Sequence, residues 1–308
     1  MVGLAGLAGL APAEAACPGP ALQPLGPGLW WWPAEPGDSD AHNRGHVAHL
    51  LLAQEGPRLW LLGSGPSPAF GQALRCQLQA RWGPAPLVVI SPWPQPESVL
   101  GVAGLGAVAH WAHAEVARQM AQRCAGCVAR LQARLGASAS DLGPGDPVRL
   151  PDQLLHGAAG QLGPWRWWRL QRSPEVTVTV WWHVASGIAF APGLLGDGRA
   201  PDGRDADLQD LAQATAALPA LPGLPAPVRW LGAQGGLQDG DAPQLATAYW
   251  QALDLAVNQA LDRGDSGEQT PATLPGVAAA VTAGPWHALN WQRAWRQAEP
   301  RWLQRSLR

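Results

Sequence analysis

The stretch that decides the fold is VVISPWPQPESVLG, which occupies residues 88–101. Together with Leu87 it begins as an apolar, β-branched run, which predicts a buried strand. Three prolines then mark a loop, and the small and apolar residues from Val99 onward predict the start of a helix. The loop carries four residues of interest where the strand ends: Trp93, Gln95, Glu97 and Ser98. The stretch therefore predicts a strand, a loop and a helix in that order.

The same alternation of strands and helices continues in both directions along the chain. Two apolar runs, at residues 46–53 and 59–62, flank Glu55-Gly56-Pro57 and predict a hairpin. Further strands are predicted near residues 29–32, 108, 165–170, 176–182, 187–191 and 228–231. Helices are predicted at residues 69–81, 114–135, 205–218, 245–261 and 287–303. Strands and helices that alternate twice predict an α/β fold built from two halves.

Composition excludes several classes of protein. The 308 residues are 47% hydrophobic and 14% charged, with a net charge of −2, which is typical of a globular protein. The basic residues do not cluster, so we expect no nucleic-acid partner. Beyond the N-terminus, every apolar run falls well short of 18 residues, so no transmembrane segment is predicted.

Residues 1–16 are apolar and are followed by Cys17 in a small-x-small pattern. They predict a signal peptide or an apolar leader, although the first basic residue is Arg44. We therefore expect a periplasmic or secreted protein, and otherwise a cytoplasmic one.

Four cysteines are present: Cys17, Cys76, Cys124 and Cys127. The CxxC at Cys124 and Cys127 lies within a helical pattern, away from the helix start that thioredoxin-like chemistry requires. We expect a local disulfide or a pair of thiols there. A thiol-redox role remains an alternative. A zinc site is not expected, since no second CxxC is present.

Several segments together resemble the metallo-β-lactamase superfamily. These are the loop at 93–98 and the stretches 42–48, 61–67, 187–194 and 229–235. The loop at 198–205 and the tail at 287–296 resemble the quinoprotein-relay type of zinc metallohydrolase in that superfamily. The resemblance implies an αββα four-layer sandwich over residues 17–244, with a helical C-terminal extension at 245–308.

The resemblance also implies a dinuclear zinc site made of histidines and aspartates, but this chain lacks those residues. The first cluster, His-x-His-x-Asp-His, corresponds to Trp93, Gln95, Glu97 and Ser98. The remaining positions correspond to Gln171, with Arg172 as the alternative, and to Gly193 and Gln234. Because only Glu97 keeps a carboxylate, we predict no metal, no cofactor and no confident catalytic residue.

This pattern favours a pseudoenzyme that binds a small molecule or a protein of unknown identity, near quinoprotein oxidation in the periplasm. The alternative is an active metallo-hydrolase that binds zinc through other ligands. The eight histidines offer little support for this alternative, and we expect them at the surface or in loops. His46 and His49 should lie on opposite faces of a strand. His110 and His113 have the spacing of one helix face.

Overall fold

The computed structural model describes residues 17–226 and 228–307, so the predicted leader at residues 1–16 lies outside the described residues. Two sheets make up its centre. The first sheet has the order β1-β2-β3-β4-β5-β6-β7 and the second has the order β12-β11-β10-β9-β8. The strands of the first sheet are β1 Gln23–Gly26, β2 Leu29–Trp32, β3 Leu50–Glu55, β4 Arg58–Leu62, β5 Leu87–Ser91, β6 Ala109–His113 and β7 Gln153–Leu155. Those of the second are β8 Ala159–Leu162, β9 Trp165–Ser173, β10 Val176–His183, β11 Ile188–Phe190 and β12 Arg229–Leu231.

Helices cover the outer face of each sheet. They are α1 Pro68–Trp82, α2 Pro96–Val99, α3 Ala114–Leu135, α4 Leu208–Ala217, α5 Ala242–Arg263, α6 Ala279–Thr282 and α7 Pro285–Ser306. Most of the predicted elements are present, and α3 has the predicted bounds. Strand β3 begins at Leu50 and not at His46 as predicted, and β1, β7 and β8 were not predicted.

Side chains that point alternately to the two faces of a strand pack the layers against one another. Along β3, Leu51 and Ala53 face the second sheet, whereas Leu50 and Leu52 face α1. Tryptophans of β9 and β10 fill the space between the sheets. A strand with both faces buried contributes apolar surface to two layers at once. The result is the predicted αββα sandwich.

The C-terminal helices belong to one of the four layers. With α4, helices α5 and α7 share a single apolar cluster with the outer face of β10, through residues such as Val178, Trp250 and Trp291. Helix α5 already begins at Ala242, just before the predicted boundary at residues 244/245. Within the described residues, no helix combines the length and apolar character needed to cross a bilayer.

The cysteine pairing differs from the expected local disulfide. Cys17 is bonded to Cys76 on α1, and Cys124 and Cys127 are buried free thiols. Neighbours three apart on a helix have Cβ atoms about 5–6 Å apart, which exceeds the roughly 3.5–4.5 Å of a disulfide. The disulfide predicted between Cys124 and Cys127 is therefore wrong, and the pair of thiols is what remains.

The expectation that the histidines lie at the surface or in loops is met by four of the eight. His42 and His156 are exposed, and His46 and His49 lie in a loop, although both are buried. The expectation is wrong for the other four, which are buried on strands or a helix: His110, His113, His183 and His287. His110 and His113 lie on β6 and do not share a helix face, since His113 caps the start of α3 by accepting from the Glu115 N–H. His46 and His49 precede β3 in a loop, so the prediction that they occupy a strand is also wrong.

Candidate functional site

A small cavity of about 70 Å³ lies at one edge of the sandwich, where loops that follow β5, β11 and β12 meet. Strands β11 and β12 are parallel, so their carboxyl ends reach the same edge. The cavity is lined by Trp93, Gln95, Glu97, Gly193 and Gln234, together with residues of the segment 195–204 and Trp286. The structure thus brings five of the seven sequence-predicted site residues to one place.

The loop after β5 is fixed to the opposite sheet. The Pro92 carbonyl accepts hydrogen bonds from both the backbone N–H and the Oγ1 of Thr179 on β10, at 2.9 and 2.8 Å. Because Pro92 immediately precedes Trp93, this anchor positions the indole at the edge of the second sheet, where it is 93% buried (7% exposed). The indole packs into the apolar cluster that β10 shares with α4, α5 and α7.

Arg172 packs directly on this indole. Its guanidinium carbon lies 4.8 Å from the ring centroid, and the residue is fully buried. Arg172 is an extra residue on β9: Ser173 pairs with Val176 and Gln171 with Thr177, so Arg172 has no partner on β10. Such a bulge redirects a side chain at the edge of a sheet.

Among the described residues, no carboxylate is bonded to the Arg172 guanidinium. It donates instead to the carbonyls of Arg204 and Asp202, at 2.9 and 2.6 Å. Burial lowers its pKa to about 10, and the nearby charges of Asp202 and Asp205 only partly oppose this. The cation is held by two peptide dipoles and the face of an indole.

Gly193 is fitted to Trp93. It has φ +70°, and a Cβ built on it would lie 3.0–3.1 Å from three atoms of the indole. An aspartate at this position therefore clashes with the tryptophan unless one of them moves. The residue types at positions 93 and 193 are therefore sterically coupled.

Gln171 and Ser98 lie away from the cavity. Gln171 contacts Thr177 and Glu115, accepting from Thr177 Oγ1 at 2.7 Å. The Ser98 carbonyl accepts from the Ser64 N–H at 2.7 Å beneath the loop. Of the two alternatives for this position, Arg172 and not Gln171 faces Trp93.

Two of the remaining cavity residues form hydrogen bonds with other segments of the chain. The Gln234 amide donates to the carbonyls of Gly37 and Val47, both at 2.8 Å, and so joins two loops. Glu97 accepts from Ser39 Oγ at 2.8 Å. Gln95 is half-buried and lines the cavity without such a partner among the described residues.

A network of ion pairs closes one side of the cavity. Arg204 pairs with Asp202 at 2.6 Å and with Asp38 at 3.0 Å, and Asp38 also accepts from Arg134 at 2.9 Å. Burial alone would lower the pKa of Arg204, but the carboxylates of Asp202, Asp38 and Glu97 together raise it. The guanidinium stays charged and also stacks over Trp286, 4.9 Å from its ring centroid.

Two residues of helix α7 contact this network and the loop that carries it. Arg293 reaches Asp202 at 3.3 Å, and the buried Asn290 accepts from the Gly203 N–H and donates to the Pro201 carbonyl. The loop at 198–205 and the C-terminal tail, which the sequence indicated separately, are therefore one unit.

The donor set does not fit a zinc ion. Among the described residues, no three His, Cys, Asp or Glu side chains are grouped as metal ligands. Zinc sites need about three or four imidazole, thiolate or carboxylate ligands, and this cavity offers indole, amide and guanidinium groups in their place.

The buried histidines do not supply an imidazole to this cavity. His49 lies nearby, but its Nδ1 accepts from the Ala34 N–H at 2.7 Å and its Nε2 lies 2.7 Å from the Gly235 carbonyl. With both nitrogens used, it is not free to bind a metal.

Comparison with solved structures identifies the class to which this fold belongs. The chain has the metallo-β-lactamase fold. It superposes on the mono-zinc form of the metallo-β-lactamase FIM-1 from Pseudomonas aeruginosa with a TM-score of 0.57 and 14% identity, over 78% of this chain and 98% of that one. It matches TMB-1 with a TM-score of 0.58 and 10% identity, over 76% and 98%. No family profile matches the sequence, and no curated protein is significantly similar to it.

Sequence reasoning missed most of the charged residues at this site. Arg172 was recognised only as an alternative alignment, and Asp38, Asp202, Arg204 and Arg293 were not recognised. Asp202 and Arg204 do fall in a loop that the resemblance singled out, so a signal existed there. Arg293 likewise falls in the tail at 287–296 that the resemblance singled out. Asp38 comes from a distant part of the chain, and the resemblance does not mark it.

Proposed function

We propose that the protein is a pseudoenzyme of the metallo-β-lactamase fold with a binding or accessory role. The observation that carries this proposal is the mutual fit of Trp93, Arg172 and Gly193. The indole and guanidinium fill the cleft between the strand ends, and the glycine leaves room for the indole. The cleft has been repacked as a core, which differs from a metal site that has lost a single ligand.

Export from the cytoplasm is part of the proposal. The bond between Cys17 and Cys76 supports it, because structural disulfides persist mainly in oxidising compartments. A place near periplasmic quinoprotein oxidation rests on the sequence resemblance of the loop at 198–205 and the tail at 287–296.

Thiol-redox chemistry is less well supported. Burial raises the pKa of Cys124 to about 12 and also raises that of Cys127. The thiolate is the reactive form, so both thiols are poor nucleophiles at neutral pH.

The test is a measurement of zinc content and hydrolysis on the same protein preparation. We expect no stoichiometric zinc after expression with added zinc, and no hydrolysis of β-lactams or thioesters above background. A matched variant restores His, His, Asp and His at Trp93, Gln95, Glu97 and Ser98, His at Arg172 and Gln234, and Asp at Gly193. Zinc bound to the restored variant but not to the unmodified protein would support the proposal. A chelator-sensitive hydrolase activity in the unmodified protein would refute it.

A further inference from the structure

A second and much larger cavity lies on another part of the molecule. It encloses about 450 Å³, which is within the roughly 300–1,000 Å³ typical of small-molecule sites. The cavity at Trp93 encloses only about 70 Å³. The large cavity lies between the N-terminal end of α1, the segment that follows Cys17, and the loop before β3.

The walls of this cavity are fixed before any ligand binds. The Cys17–Cys76 disulfide ties the Pro18–Pro20 wall to α1. Gln77 Nε2 also donates to the carbonyls of Pro18 and Pro20, at 2.9 and 3.0 Å. A pre-formed cavity loses little entropy on ordering when a ligand enters.

The interior of the cavity is mainly apolar and includes the buried imidazole of His46. Phe70 and Ala73 of α1 line it together with the two prolines. His46 also lines it, packs on Phe70 with ring centroids 4.7 Å apart, and is 96% buried (4% exposed). His46 Nε2 has no hydrogen-bond partner within the described part of the chain. Burial lowers the pKa of His46 to about 4, so the ring is neutral at pH 7.

The charges at the mouth leave one carboxylate available. Arg44 and Asp141 neutralise each other through two hydrogen bonds of 2.6 Å. Glu35 lines the cavity, and its carboxylate forms no ion pair or hydrogen bond with a described residue. At the start of α1, Ser67 Oγ accepts from the Phe70 N–H, which satisfies one of the donors that would attract an anion.

We infer that this cavity binds a small organic amine, with its apolar body against Phe70 and Ala73 and its ammonium group at Glu35. The site is separate from the one at Trp93, so its ligand binding does not depend on whether that cleft holds zinc. Failure of either proposal would leave the other intact.

The test uses two probes with the same phenylethyl body and opposite charge, 2-phenylethylamine and 3-phenylpropionate. We expect the amine to bind the full chain with a Kd on the order of 1 mM or below. Calorimetry gives the affinity, and NMR signals of the Phe70 and Ala73 amides give the location. The acid should bind at least several-fold more weakly.

Variants then separate this site from nonspecific binding. Glu35→Gln should weaken amine binding by about two- to fivefold, as expected for an exposed charge pair. The matched control Glu55→Gln, at the exposed end of β3, should leave it unchanged. Ala73→Phe should place a ring where the apolar body of the amine binds and so abolish binding, and Ala69→Phe serves if the first variant does not fold. Equal binding of amine and acid, amine binding that is unchanged in these variants, or no shift at Phe70 and Ala73 would each overturn the inference.

Discussion

The steric coupling of Gly193 to Trp93 leads to a quantitative prediction. Gly193→Ala adds a Cβ at a position with φ +70°, which costs roughly 1–2 kcal/mol for any non-glycine residue. The same Cβ lies 3.0–3.1 Å from the indole, and overpacking of this kind costs about 1–3 kcal/mol more. We expect Gly193→Ala to lower the free energy of unfolding by about 2–5 kcal/mol.

Two comparisons isolate the steric part of this cost. Gly187 has φ +68° and open space where a Cβ would be added, so Gly187→Ala should cost only the conformational part. In a Trp93→Ala background the indole is absent, so Gly193→Ala should also cost only about 1–2 kcal/mol. The cost of Gly187→Ala should be the same in both backgrounds.

Urea unfolding of the six proteins, followed by circular dichroism, measures these differences. The coupling between Gly193→Ala and Trp93→Ala should be about 1–3 kcal/mol. If Gly193→Ala and Trp93→Ala add within about 0.5 kcal/mol, the two positions are independent. The claim that the cleft was repacked as a unit would then be refuted.

Two further predictions concern the whole fold. First, burial lowers the pKa values of His46, His49, His110 and His183 to about 4, from an ordinary value of 6.5. The unfolded chain therefore binds more protons between these values, so stability is retained above pH 6.5 and lost as the pH falls towards 4. We expect a loss of about 2 kcal/mol per histidine at pH 5. Equal urea midpoints at pH 7 and pH 5 would contradict this. Second, the Cys17–Cys76 bond joins residues 59 apart, so its reduction should cost about 4 kcal/mol of stability. Thiol titration of the unreduced protein in denaturant should find two thiols, and a count of four or none would contradict this pairing.

The hydrophobic pattern predicted an α/β fold of two halves, because strands and helices have different hydrophobic periods. The four-layer sandwich was what the family resemblance implied. The β-branched run before Pro92 and the helical spacing over residues 114–135 are local features, and both became the elements they predicted. The residue types at the positions that the resemblance assigns to zinc ligands were also readable, since they stand in the sequence itself. Strands β7 and β8 escaped prediction because they are short and mostly exposed, which leaves little hydrophobic pattern to detect.

Only the tertiary structure decided how the residues at the positions assigned to zinc ligands are arranged. The bulge at Arg172 sets which of two adjacent residues faces Trp93, and a bulge arises from pairing between strands, which no single strand encodes. The ion pairs of Asp38 with Arg204 and of Asp202 with Arg293 join residues far apart in the chain. The tertiary structure also decided the cysteine pairing. Helix α3 holds its two thiols too far apart to form a disulfide, whereas Cys17 lies beside Cys76 on α1. The sequence by itself therefore determined the alternation of strands and helices and the residue types at the site, and packing between distant segments determined how those residues are arranged.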